Sequence, residues 1–395
     1  MSTDIKETIE KGGRLMSIDA RRGADMLFIM GFSGAVIALC RLLGFGGDCW
    51  LAAQMKHIPW HGLRHHDTIF PLFLFLAGVS WPFSLAKQRE RGRGEGRIVL
   101  KVLVRMVVLV FLGIATERFF AFDVPNFRYD PVLAHIGVCW AAAALVSMKV
   151  SSTKWLAAIA AALLAVHWAI LYFFRAPDAA ALLASTDPDI AKRVASYAAF
   201  GTDNFSFTGN IAGWIDRTVM PGRLTETVFD ADGLLAKLSG AALAMLGVLA
   251  GRLLRRSDIA GGRKTLVLAG CAAVALAACF AWSPWCPVNK KLWTSTFILA
   301  AGAYSFAALA LFYWIIDVKG WRRWTFFFRV IGMNSITIYL LMRVVGFRSI
   351  SKFFLSGVAG LGSGDWRELV LALGTVAVEW LVLLYLYRKN TFLKV

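Results

Sequence analysis

Charged residues are scarce in this chain of 395 residues: 17% are Asp, Glu, Lys or Arg, whereas 58% are hydrophobic. This balance excludes an ordinary soluble domain, whose surface carries more charge. The sequence also lacks a nucleotide-binding glycine motif, a convincing internal repeat and a low-complexity tract, so Walker-type and Rossmann folds have no support. What remains is the composition of an integral membrane protein.

Cysteine is also rare. Four of the six cysteines lie in or beside apolar runs and are typical of small buried hydrophobes, namely Cys40, Cys139, Cys271 and Cys279. Cys49 and Cys286 fall in loops predicted on the same side of the membrane, where an oxidising compartment would permit a disulfide. The sequence gives no distance between them, so their pairing stays open.

Long apolar runs make up most of the remaining chain. A helix needs about 20 apolar residues to cross the ~30 Å hydrocarbon core, and such runs recur throughout. We therefore predict a single all-α polytopic membrane domain over residues 1–395. Its ten predicted spans are 24–43, 67–86, 98–116, 131–149, 155–174, 233–251, 265–283, 295–317, 325–345 and 368–387.

Basic residues set the predicted orientation. Large clusters within the net charge of +18 lie in short connections such as 87–97, 252–264 and 317–324. The positive-inside rule places these connections and both termini in the cytoplasm, and it explains the charge without a nucleic-acid partner. Because the N-terminal residues lack the apolar region of a signal peptide, we expect the first span to be an uncleaved anchor in a bacterial inner membrane.

The same orientation puts residues 44–66 and 175–232 outside the cytoplasm. The second connection is too long for a simple turn and contains a helix-compatible piece over residues 189–200. Long ordered loops often act as lids, so we predict an extracytoplasmic cap over an outward-facing site. A passive packing loop is the alternative.

Histidines crowd the loop that precedes the second span. His57, His61 and His65 are spaced at i, i+4 and i+8, and imidazoles on one helix face can share a zinc ion. Pro59 and Gly62 interrupt such a helix, however, and no acidic or thiol ligand completes a known spacing. We therefore predict no metal site.

General-base chemistry suits a single histidine better, because neutral imidazole takes up protons near physiological pH. The nearest carboxylate to His57 is Asp67, which opens the second span and is placed to accept a ring N–H. The competing interpretations are a solvated loop histidine and an aspartate that only caps the helix.

Polar residues within the spans are further candidates, since ionisable groups in a bilayer are unfavourable and indicate function by default. Arg105, one turn beyond Lys101, would bind an anionic ligand or pair with Glu379 or Asp25. Asn334 is a span amide that needs partners. The other candidates are His135, His167 and the polar start of the eighth span, Asn289, Lys290, Lys291 and Trp293.

Six motifs occur in order along nearly the whole chain. They are RLMSIDARRGADM (14–26), MKHIPWHGLRHHDTIFPLFLFLAGVS (55–80), GNIAGWIDRTVMPG (209–222), FDADGLL (229–235), NKKLWTSTF (289–297) and GMNSITIYL (332–340). This series resembles the transmembrane acetyltransferases related to heparan-α-glucosaminide N-acetyltransferase, especially the bacterial branch of that family.

The resemblance implies transfer of acetyl from cytoplasmic acetyl-CoA to an amino sugar or related glycan on the other side, by a multi-helix protein that is often dimeric. His57 matches the essential histidine of the family in the context K-H-x-x-W-x-G-[LF], and Asp67 matches its Asp before I-F-P. We assign Arg22, Arg105, His135, Lys291, Trp293 and Asn334 to acetyl-CoA, and Trp60, Asp230 and Asp232 to the acceptor.

Two departures from the family pattern affect the substrate. Animal members carry an Asn about eleven residues before the histidine, where this chain has Gly46 near the aligned position. Many members also carry a Gln-Arg pair in the fourth span, where this chain has Ala134 and His135. We therefore do not assign the acceptor of the family to this chain. Rival interpretations are a sugar or acyl-compound transporter, since scattered charges within the spans could line a pathway, and a non-catalytic subunit.

Overall fold

The structure is a computed structural model that describes residues 15–117, 122 and 126–393, so Arg14 of the first motif lies outside the described residues. The helices, numbered in chain order, are α1 (Met16–Leu42), α2 (Trp50–Gln54), α3 (His65–Glu90), α4 (Glu95–Ala115), α5 (Val132–Lys149), α6 (Thr153–Phe173), α7 (Ala179–Leu183), α8 (Pro188–Tyr197), α9 (Ile211–Val219), α10 (Ala236–Arg255), α11 (Gly261–Trp282), α12 (Ser295–Val318), α13 (Thr325–Met333), α14 (Ser335–Val344), α15 (Phe347–Ala359) and α16 (Gly364–Arg388).

Within the described part of the chain, nine helices are long and apolar enough to cross a membrane, and α13 with α14 would make a tenth. The all-α polytopic fold is therefore confirmed. The side of the membrane on which the termini lie stays a prediction, so we name the two ends of the bundle by the residues they carry. The cap end carries residues 43–64 and 174–235, and the basic end carries the turns at 91–94 and 256–260.

One predicted boundary was wrong. Helix α1 begins at Met16 rather than at residue 24, so Arg21 and Arg22 belong to the helix and not to a tail. Hydropathy misses these first residues because they are polar yet packed against other helices, as where the backbone N–H of Ser17 donates to Asp317 at 3.3 Å. The stretch 346–367, between the last two predicted spans, contains a further helix, α15.

Two of the spanning elements are broken. The predicted span 325–345 bends by 68° at Asn334, between α13 and α14, which corrects the prediction of one continuous helix. Helix α1 is kinked at Gly31, whose φ is +112°. Helices α1 and α13 pack backbone against backbone, because a Cβ on Gly332 would lie 1.9 Å from the carbonyl oxygen of Asp19. The two broken elements are therefore direct neighbours.

Helices α3 and α10 pack together at the centre of the largest apolar core. Their backbones approach so closely that a Cβ on Gly78 would lie 2.2 Å from the carbonyl oxygen of Ala244. Small residues at such crossings permit the close packing on which helix association in a bilayer depends. Gly78 thus holds α3, and the residues at its cap end, in position.

Replacing Gly78 with valine is expected to destabilise the protein by about 1–3 kcal/mol, because the added atoms overpack this crossing. Thermal unfolding of the purified protein in detergent measures the change. Gly270→Val is the matched control, since a Cβ at Gly270 meets nothing within 4 Å. Equal unfolding temperatures for the two variants would contradict the account of the crossing.

The connection 175–232 contains α7, α8 and α9, and the helix predicted over 189–200 is confirmed as α8 followed by a 3₁₀ turn over Ala198–Phe200. All six cysteines are free. Cys286 is fully buried against the hydroxyl of Thr296, and the side chain of Cys49 contacts Cys40. The structure therefore does not pair Cys49 with Cys286.

Candidate functional site

A histidine and a buried carboxylate meet at the cap end of α3. Nδ1 of His57 lies 2.7 Å from Oδ1 of Asp67, whose side chain has no exposed surface. The other carboxylate oxygen accepts the backbone N–H groups of Ile58 and Arg64 at 3.2 and 3.0 Å. Asp67 is therefore held by three N–H donors once the Nδ1–H tautomer of His57 is present.

Asp67 also has a helix-capping role, although not the one predicted. The residue that caps α3 is Arg64, and Asp67 lies in the first turn of the helix, where its carboxylate satisfies the backbone N–H of the cap. The positive end of the helix dipole favours a negative charge at this position. One carboxylate thus both closes the helix start and orients the imidazole.

A short antiparallel bridge connects the His57 loop to the loop before α12. It pairs His61 with Asn289, and the backbone N–H of Gly62 donates to the carbonyl of Val288 at 2.7 Å. Gly62 has a φ of +115°, which an L side chain rarely adopts, so glycine is required for this turn. The bridge brings the next residue, Lys290, to the histidine.

Lys290 is a site residue that the sequence analysis names in the polar start of the eighth span but assigns no role. Its Nζ lies 3.0 Å from Nδ1 of His57 and 3.7 Å from Oδ1 of Asp67. Burial lowers the pKa of Lys290 below its usual value, while the negative charges of Asp67 and Asp232 act in the opposite direction. Its sequence signal is its place in the motif NKKLW.

The imidazole of His57 is turned partly to the outside. About half of its side chain, 53%, is exposed, whereas the carboxylate behind it is buried. With Nδ1 donating to Asp67, the lone pair of Nε2 is left to accept a proton. The ring of His66 packs edge-on against His57, with centroids 4.5 Å apart, and Nδ1 of His66 lies 3.3 Å from the Ser33 hydroxyl.

A second polar cluster adjoins the first through Asp232. Arg128 contacts both carboxylate oxygens of Asp230, at 2.7 and 3.0 Å, and reaches Asp232 at 2.9 Å. Burial acts to raise the pKa of Asp230, but its hydrogen bonds with Arg128 hold it below its usual value. Both aspartates assigned to the acceptor are therefore engaged in an internal ion-pair network.

Trp293 and His135 lie beneath this network. The indole N–H of Trp293 donates to Asp232 at 3.2 Å, and its ring lies 4.2 Å from that of His135 and 5.1 Å from that of Phe70. Nδ1 of His135 lies 3.0 Å from both the Asp232 carbonyl and Nζ of Lys237. Both assigned residues are thus fully buried, and both rings contact Phe70, which lies one turn after Asp67 on α3.

Lys237 also pairs with Asp130, at the start of α5. Burial raises the pKa of Asp130 to about 6, against the opposing charge of Lys237. His167, a further candidate, is fully buried in α6, and its ring nitrogens have no hydrogen-bond partner among the described residues.

Trp60 and Lys291 hold the cap. The Trp60 indole is fully buried in the apolar cluster under α8, and its N–H donates to the carbonyl of Phe205 at 3.0 Å. Lys291 contacts Glu226 at 2.7 Å and the hydroxyl of Tyr197. Neither side chain reaches His57, so a direct substrate or donor contact for them stays a prediction.

A cavity of about 520 Å³ lies between α1, α3, α4 and α14. Arg22 and Arg105 both line it, and Arg22 donates to the Ser80 hydroxyl at 2.8 Å. Asn334 is buried at the helix break beside Met333 and Ser335, which also line the cavity, and its amide atoms have no hydrogen-bond partner among the described residues. The structure thus brings together three of the residues assigned to the donor.

In the part of the chain that the structure describes, no three His, Cys, Asp or Glu side chains are grouped so that they could hold a metal ion.

The loop around Gly46 is the first place where the sequence departs from the family pattern. Lys56 holds this loop by donating to the Gly47 carbonyl and to Asp48, each at 2.8 Å.

The chain is similar to heparan-alpha-glucosaminide N-acetyltransferase of Mus musculus, with 24% identity over 357 residues, covering 78% of this chain and 52% of that protein. It is 26% identical to heparan-alpha-glucosaminide N-acetyltransferase of Homo sapiens over 375 residues, covering 83% and 52%. The chain thus spans about half the length of the curated relatives it matches. No family model matches the chain. These identities indicate distant homology between this chain and the two N-acetyltransferases.

Proposed function

We propose that this protein is an acetyl-CoA-dependent membrane acetyltransferase. It takes acetyl from acetyl-CoA on the cytoplasmic side of a bacterial inner membrane and transfers it to the amine of an amino sugar or related glycan at the cap end. The observation that carries the proposal is the half-exposed His57 imidazole held by the buried carboxylate of Asp67. The similarity to N-acetyltransferases over most of the chain supports the reaction class.

In the proposed reaction, the acceptor nitrogen attacks the thioester carbonyl carbon, and the N–C bond forms as the C–S bond breaks. His57 takes the amine proton at Nε2 as general base and returns it to the sulfur of the leaving thiolate, so free CoA leaves as a thiol. Asp67 stabilises the imidazolium that forms between these steps. Holding both substrates in line supplies much of the acceleration.

The donor reaches His57 through the 520 Å³ cavity in this proposal. Phe73, Ala77, Ser80, Ser84 and Lys87 line the cavity at intervals of three or four residues, so they form one face of α3 from the basic end upward. Phe73 is six residues from Asp67, or ~9 Å along the helix. Phe70 lies on the same face, between the cavity and the histidine.

An acetyl-histidine intermediate is the second route, because imidazole is also a competent nucleophile. In that route the thioester carbon bonds first to a ring nitrogen of His57, the thiolate leaves, and the acceptor amine then displaces the imidazole. Incubation with acetyl-CoA alone would trap acetylated protein only if this route is used, and direct transfer predicts none.

Lys290 is proposed to position the pair of His57 and Asp67. Its ammonium group lies 3.0 Å from Nδ1 of His57 and 3.7 Å from Oδ1 of Asp67, so it helps to hold the carboxylate beside the ring. Asp67 in turn stabilises the imidazolium that forms during the reaction.

In Lys290→Met, we therefore expect acetyl-CoA turnover to fall by about tenfold, because the carboxylate loses a charge-assisted contact worth ~1.5 kcal/mol that holds it beside the imidazole. Turnover of acetyl-CoA at saturating acceptor gives the measurement. Lys290→Arg should keep turnover near the wild-type rate, and a folded Lys290→Met protein with unchanged turnover would exclude the positioning role.

The proposed function is tested with purified protein, acetyl-CoA and a panel of amino sugars, while free thiol release and acetylated sugar are followed. Thiol release that depends on an amino sugar, with one acetyl gained per CoA released, supports the proposal. Turnover without any acceptor product keeps the enzyme class but refutes the acceptor class. No turnover with any acceptor under conditions where the protein is folded refutes the enzyme.

A transporter is the second candidate, and the neighbouring breaks in α1 and at Asn334 favour it, because discontinuous helices often form transport sites. Reconstituted vesicles distinguish the two functions. Labelled amino sugar that accumulates unmodified supports transport, whereas labelled sugar recovered only in acetylated form supports the acetyltransferase.

A further inference from the structure

Arg105 in α4 has no partner for its charge among the residues that the structure describes. Neither Glu379 nor Asp25, the partners considered from the sequence, contacts it, and no hydrogen bond or ion pair to Arg105 occurs within the described residues. Its guanidinium lies 4.3 Å from the centre of the Trp140 ring, a cation–π contact that leaves the hydrogen-bond donors unused. An unpaired arginine in a spanning helix calls for an anion.

A second cavity, of about 380 Å³, lies beside this guanidinium between α3, α4 and α5. Lys101 and Gln88 line its polar side. Gln88 is only 5% exposed, and its Oε1 has no hydrogen-bond partner among the described residues, while the indole Nε1 of the buried Trp140 is similarly unpaired. The cavity therefore offers two cations and an unused indole N–H donor to one ligand.

The other side of this cavity is apolar and opens toward lipid. Val104 and Val108 line it and are 52% and 36% exposed on the outer face of α4. Arg105 lies ten residues after the first residue of α4, Glu95, or ~15 Å along the helix. Helical side chains tilt toward the N-terminus, so Arg105 and Lys101 both extend toward the basic end.

We propose that this groove, formed by Gln88, Lys101, Arg105 and Trp140 with Val104 and Val108, binds an anionic phospholipid. The guanidinium and ammonium groups contact the headgroup phosphate, because arginine matches phosphate oxygens in a bidentate geometry. The valines contact the acyl chains. Basic pockets between spanning helices are suited to such headgroups.

Arg105 also lines the 520 Å³ cavity, so a nucleotide phosphate has the same chemistry and a route to the same cation. The two sources differ in what accompanies the phosphate. A phospholipid brings acyl chains that the exposed valines contact, whereas a nucleotide is soluble and brings none. The lipid is favoured because the 380 Å³ groove opens on the lipid-facing side of α4.

The test titrates the full-length protein in detergent with phosphatidylglycerol, with diacylglycerol of the same acyl chains and with ADP, and native mass spectrometry counts the bound molecules. We expect phosphatidylglycerol to bind wild type at least tenfold more tightly than diacylglycerol. Arg105→Met and Lys101→Glu should each remove most of this preference. Arg263→Met is the control, since Arg263 is an exposed arginine at the basic end that does not line the groove.

Equal binding of the two lipids to wild type would overturn the proposal without any variant. Displacement of phosphatidylglycerol by ADP, with ADP binding lost in Arg105→Met, would assign the phosphate to a nucleotide and overturn the lipid source. Lys101 is exposed, so Lys101→Glu keeps the test valid if Arg105→Met does not fold. Full retention of the preference in a folded Lys101→Glu protein would count against the site.

Discussion

His57→Ala is expected to lower acetyl-CoA turnover by about 10²–10⁴-fold, which is the usual contribution of a positioned general base. Such a loss corresponds to ~3–5 kcal/mol of transition-state stabilisation. The fold should persist, because about half of the imidazole is exposed and Asp67 keeps its two backbone donors. Release of free thiol, measured at saturating acetyl-CoA and acceptor, gives the rate.

His61→Ala is the matched control for this loss. His61 lies in the same loop, and the alanine variant keeps its backbone bridge to Asn289 while losing a 3.4 Å contact between His61 Nδ1 and the Asn289 amide. We expect its turnover to stay within a few-fold of wild type. A His61→Ala protein as inactive as His57→Ala would show that the loop, rather than one imidazole, accounts for the loss.

Asp67→Asn is expected to be the second most damaging change, with a loss of about 10²-fold or more in kcat and little change in KM. The amide keeps the size of the carboxylate but removes its charge, so it no longer stabilises the imidazolium or fixes the Nδ1–H tautomer. It also leaves the half-buried cation of Lys290 without its neighbouring anion, which adds instability. Steady-state kinetics and thermal unfolding separate the two effects.

Asp48→Asn controls for loss of a carboxylate in the same region, because Asp48 is exposed and its ion pair within the described part of the chain is with Lys56. Its kinetics should match wild type. If Asp67→Asn lowers the unfolding temperature but leaves kcat intact, the role of Asp67 is confined to closing the start of α3. The proposed partnership with His57 would then be wrong.

The sequence predicted the fold class well, because spans are encoded locally in runs of apolar residues. It predicted the pairing of His57 with Asp67 for a different reason. Ten residues of one motif separate the two, and a loop followed by a helix start is sufficient to bring them together. Both predictions required little information about distant parts of the chain.

Long-range contacts account for what was missed. Lys290 reaches His57 across 233 positions of sequence, through a bridge that no periodicity reveals. The break at Asn334 was missed because hydropathy is the same for a straight and a bent apolar helix. The start of α1 was missed because its polar residues pack against α12 and α13, which lie far away in sequence: Ser17 donates to Asp317 of α12, and Asp19 lies against Gly332 of α13.

Lys290 and Lys291 are adjacent in one turn, yet their side chains contact different parts of the protein. Lys290 contacts the histidine and its carboxylate, while Lys291 is fastened to Glu226 and Tyr197 of the cap. Any displacement of the cap segment that carries Glu226 and Tyr197 would pull on the same turn that supplies the cation beside His57. The cap and the pair of His57 and Asp67 are therefore coupled through two adjacent residues of one turn.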